Sequence, residues 1–182
     1  MLEFVLFALY IIAGIIFLFL IVIFARLLFL KSAPFVPIPN DALEQLLAPI
    51  APQKNSVVYD LGCGDGRVLL FLAKKYPEAT YKGIEFRLFP FLLAKFKTRN
   101  QKNINIIRGN FFKISLSDAT HIITYLFPSV MDSLLPKLEQ ELKNVTLLSF
   151  DFPFSKKDEY EKRDLLQRQR KLGSRIYLYK FE

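Results

Sequence analysis

The chain has 182 residues, 25 Lys and Arg against 17 Asp and Glu, a formal charge of +8 and 52% hydrophobic residues. Its one cysteine, Cys63, excludes a disulfide framework and a cysteine-based metal site. Its one histidine, His121, lies in the apolar run HIITYLF, where it reads as an ordinary strand residue and not as the base of a Ser/His/Asp triad.

The first thirty residues stand apart. No charged residue occurs from Phe4 to Ala25, and these 22 residues would form roughly 33 Å of helix, enough to cross a hydrocarbon core ~30 Å thick. A cleaved signal peptide would need a basic start, a shorter apolar core and a small-residue cleavage site. Here Glu3 stands at the start, the run is longer, and Arg26 and Lys31 follow it. Residues 1–31 are therefore expected to be a retained, single-pass membrane anchor held by lipid contacts through residues 4–25. The basic flank after the helix places the bulk of the chain on the cytoplasmic side, or in an organelle such as at the mitochondrial inner membrane of a eukaryote.

SAPFVPIPN (Ser32–Asn40), with three prolines, predicts an extended linker. Asn40 can cap a short helix over Asp41–Ala48, which Pro49 and Pro52 end. Residues 32–55 thus form a linker and leading helix, and a domain over 56–182 follows. Strands are expected at Ser56–Leu61, Thr80–Glu85, Asn103–Arg108, His121–Phe127 and Val145–Phe150. Helices are expected at Gly66–Tyr76, at Leu88–Asn100 with an interruption near Pro90, and at Val130–Leu142. The alternation predicts an α/β, Rossmann-like, doubly wound and mostly parallel sheet. Arg175–Phe181 alternates as a strand. Asp164–Lys171 is either its antiparallel partner, the reading favoured, or a charged helix.

Between the first strand and its helix lies DLGCGDG, Asp60–Gly66. Glycines at 62, 64 and 66 permit positive φ and close approach of a ligand to backbone. The dinucleotide fingerprint G-x-G-x-x-G fails, because Arg67 stands where its third glycine belongs, and no G-x-x-x-x-G-K-[ST] loop is present. Asp60 and Asp65 would repel a pyrophosphate but suit a cation. S-adenosylmethionine carries both a sulfonium and an ammonium, and Glu85 at the end of the second strand can accept two ribose hydroxyls.

Asp60–Arg67 together with Glu85 resembles the class I, seven-strand methyltransferases. More closely, PFVPIPNDALEQLL, VVYDLGCGDGRV, YLFPSVMDSLLPKLEQEL and SFDFPF resemble, in that order, a family that includes the mitochondrial lysine methyltransferases of the ATP synthase c-ring protein and of the adenine nucleotide translocase. The likeness runs from about Pro34 to Phe154. It implies a seven-stranded sheet and S-adenosylmethionine as cofactor. Asp60, Gly62, Cys63, Gly64, Asp65 and Gly66 would lie at its methionine end and Glu85 at its ribose. At position 110 the family carries an acid that meets the adenine amino group. Here it is Asn110, whose amide oxygen can still accept that bond.

Methyl transfer asks mainly for alignment of nucleophile, methyl and sulfur. A lysine acceptor must also lose its proton, which an apolar aromatic pocket favours. Such a pocket belongs beyond the carboxyl ends of parallel strands. The candidates there are Tyr125, Phe127, Pro128 and Phe152, with Phe35 and Pro37 from the linker folding over, and Asp151 as a weak candidate to assist deprotonation. The turn YLFPS lacks the Asp or Asn of an (Asp/Asn)-Pro-Pro-aromatic tetrad, so a DNA base amine is not the expected acceptor. From Phe86 to Ser117 there are seven basic residues and no acidic one. A second lipid contact, a solvated face and RNA binding all remain open for this stretch. The resemblance favours a protein substrate with an exposed, membrane-proximal lysine. RNA, a membrane-soluble small molecule, or a silent cofactor-binding scaffold are the alternatives.

Overall fold

The computed structural model describes residues 1–29, 40–164 and 175–182. The linker residues Phe35 and Pro37 lie outside them. The chain divides into two units, Met1–Val36 and Pro37–Glu182. The first contains helix α1 (Leu2–Phe29), whose side chains from Glu3 to Phe24 are all exposed. Among the described residues α1 is the one helix long and apolar enough to cross a membrane, by length and composition.

The second unit is built on a seven-stranded sheet. Its strands are β1 (Val57–Leu61), β2 (Thr80–Glu85), β3 (Ile104–Arg108), β4 (His121–Thr124), β5 (Val145–Phe150), β6 (Glu161–Asp164) and β7 (Arg175–Phe181). Their order is β3-β2-β1-β4-β5-β7-β6. The first five run parallel, β7 is antiparallel to β5, and β6 is antiparallel to β7. The strand order reverses between β1 and β4, and it is outside the carboxyl ends of the strands at such a switch point that open α/β sheets bind ligands.

Both faces of the sheet are buried, because side chains alternate along each strand. Val58, Ile123 and Leu148 pack with α2 (Asn40–Leu47), α3 (Arg67–Lys75) and Ala94 of α4 (Leu88–Thr98). Tyr59, Leu61, Ile122 and Leu147 pack on the opposite face with Met131, Leu134, Leu135 and Leu138 of α5 (Pro128–Glu141). On that second face no helix joins β3 to β4. A coil supplies Leu116 and Ala119 instead, and Asp118 ties it down by accepting bonds from the Tyr59 hydroxyl and Lys82. Leu43, Leu47 and Ile50 are part of the first core, so the leading helix is integral to the sheet's packing.

Three local expectations need correction. Pro90 does not interrupt α4: it is the third residue of the helix, where the missing N–H has no intrahelical partner to lose, and Phe91 N–H still bonds the Arg87 carbonyl at 3.1 Å. β4 ends at Thr124 and not at Phe127, since Pro128 opens α5 at a position that suits its fixed φ. The partner of β7 is Glu161–Asp164, earlier than expected; residues 165–171 lie outside the described part. Every residue of β6 is charged, which suits an edge strand but erases the alternation that would reveal it.

One glycine in the sheet is fixed by packing alone. A Cβ at Gly83 of β2 would lie 2.7 Å from Cys63 Sγ, 2.8 Å from Leu69 Cδ1 and 2.9 Å from Ile106 Cδ1. Gly83→Ala is expected to cost about 1–3 kcal/mol through overpacking, read as a lower denaturant midpoint at unchanged slope.

Candidate active site

β1 ends at Leu61, and the next five residues reverse the chain into α3. Gly62, Gly64 and Gly66 have φ of 83°, 56° and 76°, the left-handed region that a side chain disfavours. The N–H groups of Gly62 and Cys63 both bond the Ile84 carbonyl, at 2.8 and 3.2 Å, which fastens the turn to β2. Gly66 also lies against α4, where a Cβ would come within 3.2 Å of Thr98 Cγ2 and 3.4 Å of Ala94 Cβ. The turn can therefore neither carry side chains at its three glycines nor relax away from its neighbours.

Three carboxylates converge on it, and all are buried: Asp60, Asp65 and Glu85. Asp65 faces Arg67, which donates from Nε at 3.0 Å and from Nη2 at 2.9 Å, and it also accepts from Lys97 of α4. Burial opposes its ionisation, but the bonds from Arg67 and Lys97 prevail and hold its pKa at about 2. Glu85 accepts the Gly64 N–H at 3.0 Å on one oxygen and the Arg87 N–H at 2.9 Å on the other. Each oxygen keeps a lone pair. Asp60 has neither a hydrogen bond nor a cation from the described residues. Burial, then the charges of Glu85 and Asp65, push its pKa up to about 8. Cys63, buried over Gly83, is raised well above the usual thiol range by burial and by Asp60, which disfavours its thiolate.

A buried carboxylate without a counter-charge, 5% exposed and beside a second acid, is unfavourable in the empty protein. It fits a cationic ligand. The adjacent Glu85, fixed by two backbone donors with acceptor capacity to spare, fits a pair of hydroxyls. Together they match the amino-acid end and the ribose of S-adenosylmethionine. Asn110, after β3, already uses its amide oxygen to accept the Phe112 N–H at 3.0 Å, leaving a second lone pair and the NH₂ donors.

Beyond β4 and β5 an aromatic group gathers. The Tyr125 ring stacks on Phe152 with centroids 6.0 Å apart, and Phe127 is 5.8 Å from Phe152. The Tyr125 hydroxyl donates to Asp151 Oδ2 at 2.8 Å, and Arg175 N–H donates to Asp151 Oδ1 at 3.2 Å. Asp151 itself is left-handed, with φ of 58°. Pro128 is the first residue of α5. His121 lies at the other end of β4, paired with Val58 at the start of β1.

Sequence reasoning misses several residues. Lys97 is 32 positions from Asp65 and gives no local signal. Phe86 follows Glu85 directly and is 67% exposed, an unpacked aromatic side chain that adjacency to Glu85 could have flagged. Thr124 Oγ1 at the end of β4 is buried without a partner among the described residues, and a strand-end threonine carries no warning of that.

This sheet order, with an acid-and-glycine turn after β1 and an acid ending β2, defines a class I, S-adenosylmethionine-dependent methyltransferase. A structure of an RNA methyltransferase from Salinibacter ruber in complex with S-adenosyl-L-homocysteine superposes with a TM-score of 0.73 at 27% identity, over 80% of this chain and 94% of that one. The chain belongs to the ANTKMT methyltransferase domain family, whose model matches residues 60–161. A protein-lysine N-methyltransferase of Saccharolobus islandicus is 34% identical over 128 residues, which is 68% of this chain and 80% of that protein. A Caenorhabditis elegans lysine N-methyltransferase, named for the C subunit of ATP synthase, is 27% identical over 137 residues, 70% of this chain and 71% of the relative. The chain is thus an enzyme of this family, with S-adenosylmethionine as its cofactor.

Asp60 gives the empty protein a pH dependence of fixed sign. Between its unfolded pKa of ~3.9 and its folded value the native chain holds a proton that the unfolded chain has lost, so this group makes stability fall as pH rises. The loss is complete above about 8. In thermal melts without ligand, Asp60→Asn is expected to gain on the wild type as pH rises toward 8 and to keep a constant lead beyond it. A lead that does not change with pH would show Asp60 to be ionised throughout.

Proposed function

We propose that this methyltransferase acts on protein lysine, as a single-pass membrane protein whose catalytic unit α1 tethers on the cytoplasmic side. The observation that carries the lysine reading is the aromatic group Tyr125–Phe127–Phe152 at the carboxyl ends of β4 and β5, beside the cofactor turn. The Saccharolobus relative, a protein-lysine N-methyltransferase by name, supports it. The tether rests on the apolar length of α1 and on Arg26 and Lys31 after its apolar run.

When bound, S-adenosylmethionine supplies an electrophilic methyl group on a sulfonium. In this reading Asp60 takes its ammonium, Glu85 its ribose hydroxyls, Phe86 a purine face, and Asn110 the adenine edge through its remaining amide capacity. The glycines let backbone approach the methionine end. Asp65, already saturated by Arg67 and Lys97, holds the turn to α3 and α4 from behind. On the acceptor side a lysine, with a reference pKa of ~10.4, has to arrive or become neutral. Ring faces with few polar atoms disfavour the ammonium and exclude water, while the lysine stem packs along them. Asp151, held by Arg175 N–H and by the Tyr125 hydroxyl, orients the Tyr125 ring, so its part is positioning and not proton removal.

RNA is the second reading. The likeness to the Salinibacter protein and the acid-free stretch 86–117 favour it. Incubating the full-length enzyme with methyl-labelled cofactor, separated membrane proteins and total RNA distinguishes the two. Label is expected in methyl-lysine of a membrane protein; label in RNA alone would overturn the lysine reading. Asp60→Asn is expected to weaken cofactor binding by roughly 10- to 100-fold, the worth of a charged hydrogen bond, in direct titration. Phe152→Ala is expected to leave that binding unchanged while lowering kcat/KM for the protein acceptor by about tenfold or more, a misplacement effect.

A further inference from the structure

Helix α4 is apolar on two opposite faces, and the fold uses only one. Ala94 and Thr98 are buried against Gly66 and the sheet. On the other side Phe89, Leu92 and Phe96, spaced three and four residues apart and hence aligned, are 77%, 53% and 62% exposed. Basic side chains flank this ridge. Lys95 is exposed next to Phe96, and the Arg99 guanidinium lies 4.1 Å over the Phe96 ring. No acidic residue occurs from Phe86 to Ser117.

We infer that the outer face of α4 is an interfacial membrane contact, which seats the catalytic unit on anionic lipid with Phe89, Leu92 and Phe96 among the acyl-chain ends and Lys95 and Arg99 at the phosphates. The arrangement is that of a helix lying in the interface plane, apolar at its crown and cationic at its rim. A single-stranded nucleic acid could stack on Phe89 and Phe96, but it would ask for cations at the crown to meet phosphate, and the aliphatic Leu92 between the rings suits acyl chains better. The cationic rim complements the phosphates of an anionic leaflet. Where α1 spans a bilayer, the linker limits how far the second unit can stray from it, without choosing its face. Only residues 30–39 separate α1 from α2, a reach of at most roughly 40 Å. This contact is independent of the acceptor's identity and goes beyond the tether, because it fixes which face of the domain looks at the membrane.

The chain contains no tryptophan, so a single introduced one reports alone. Full-length Leu92→Trp and a control, Tyr160→Trp, are placed in nanodiscs of phosphatidylcholine with or without phosphatidylglycerol, with brominated acyl chains as quencher. Tyr160 is 48% exposed and lies next to β6. Blue-shifted, quenched emission is expected from Trp at 92 and not at 160, and more strongly with phosphatidylglycerol. Adding Lys95→Ala and Arg99→Ala to the Leu92→Trp chain is expected to weaken the contact by roughly fivefold per basic side chain. A chain that does not enter the discs would sink the α1 tether alone. Brominated phosphatidylglycerol vesicles are then added to it, and quenching at 92 still supports the α4 contact. Emission from position 92 that matches position 160 in every lipid, or that responds to single-stranded RNA and not to lipid, overturns the inference.

Discussion

The acid at the end of β1 is left without a partner among the described residues, in a place where burial makes that costly, and the rest of the site is arranged around this imbalance. Asp65 and Glu85 lie close by, yet the protein treats the three carboxylates differently. Arg67 and Lys97 neutralise Asp65. Two backbone donors hold Glu85. Asp60 receives nothing comparable from the described residues. An ordinary structural acid in such a position would be paired or replaced, since an uncompensated buried charge shifts its pKa before it tolerates ionisation. In the proposed reading a cation arrives from outside, and the ammonium of S-adenosylmethionine completes the charge balance at Asp60.

The backbone makes that imbalance possible. With glycines at 62, 64 and 66 the turn folds tightly enough for Gly62 and Cys63 to reach the Ile84 carbonyl and for Gly66 to touch α4. Gly83 performs the matching service from β2 by leaving room for Cys63. The cradle is thus clamped between α3, α4 and β2, and its carboxylates cannot swing outward to find water. A mechanism that relies on alignment depends on such rigidity, because misplacement of the reacting atoms is then costly. The sheet achieves this with few parts: a coil replaces the helix between β3 and β4, and a hairpin of β6 and β7 closes the far edge.

Much of this is legible in the residues. Asp60–Gly66, Glu85 and the alternation of β1 through β5 are short-range patterns, each set by backbone conformation or strand periodicity, and the structure follows them closely. The failures share a different cause. Pro90 reads as a break because proline disfavours helix interiors, whereas only its distance from the helix start, set by the Arg87 boundary, decides the outcome. β6 escapes because four charged residues have no apolar period. Lys97 cannot be assigned to Asp65 from the residues because the pairing depends on how α4 crosses the turn, which is a tertiary fact. The bonds of Asp151 to Tyr125 and Arg175 have no signal in the residues either, because they come from two other segments.

Helix α4 joins the two halves of the problem. Its inner face is sewn to the cradle by Lys97 on Asp65 and by Ala94 and Thr98 on Gly66, while its outer face carries Phe89, Leu92 and Phe96 into solvent. Exposed aromatic and aliphatic side chains at helical spacing do nothing for the stability of the domain that displays them, so a surface that covers them has to be sought elsewhere. A helix tied this firmly on one side transmits its orientation to the cofactor turn on the other. Whatever α4 lies upon therefore also sets how the aromatic group beyond β4 and β5 is presented. In the proposed reading, where the acceptor lysine meets the rings of Tyr125, Phe127 and Phe152, that presentation is part of specificity.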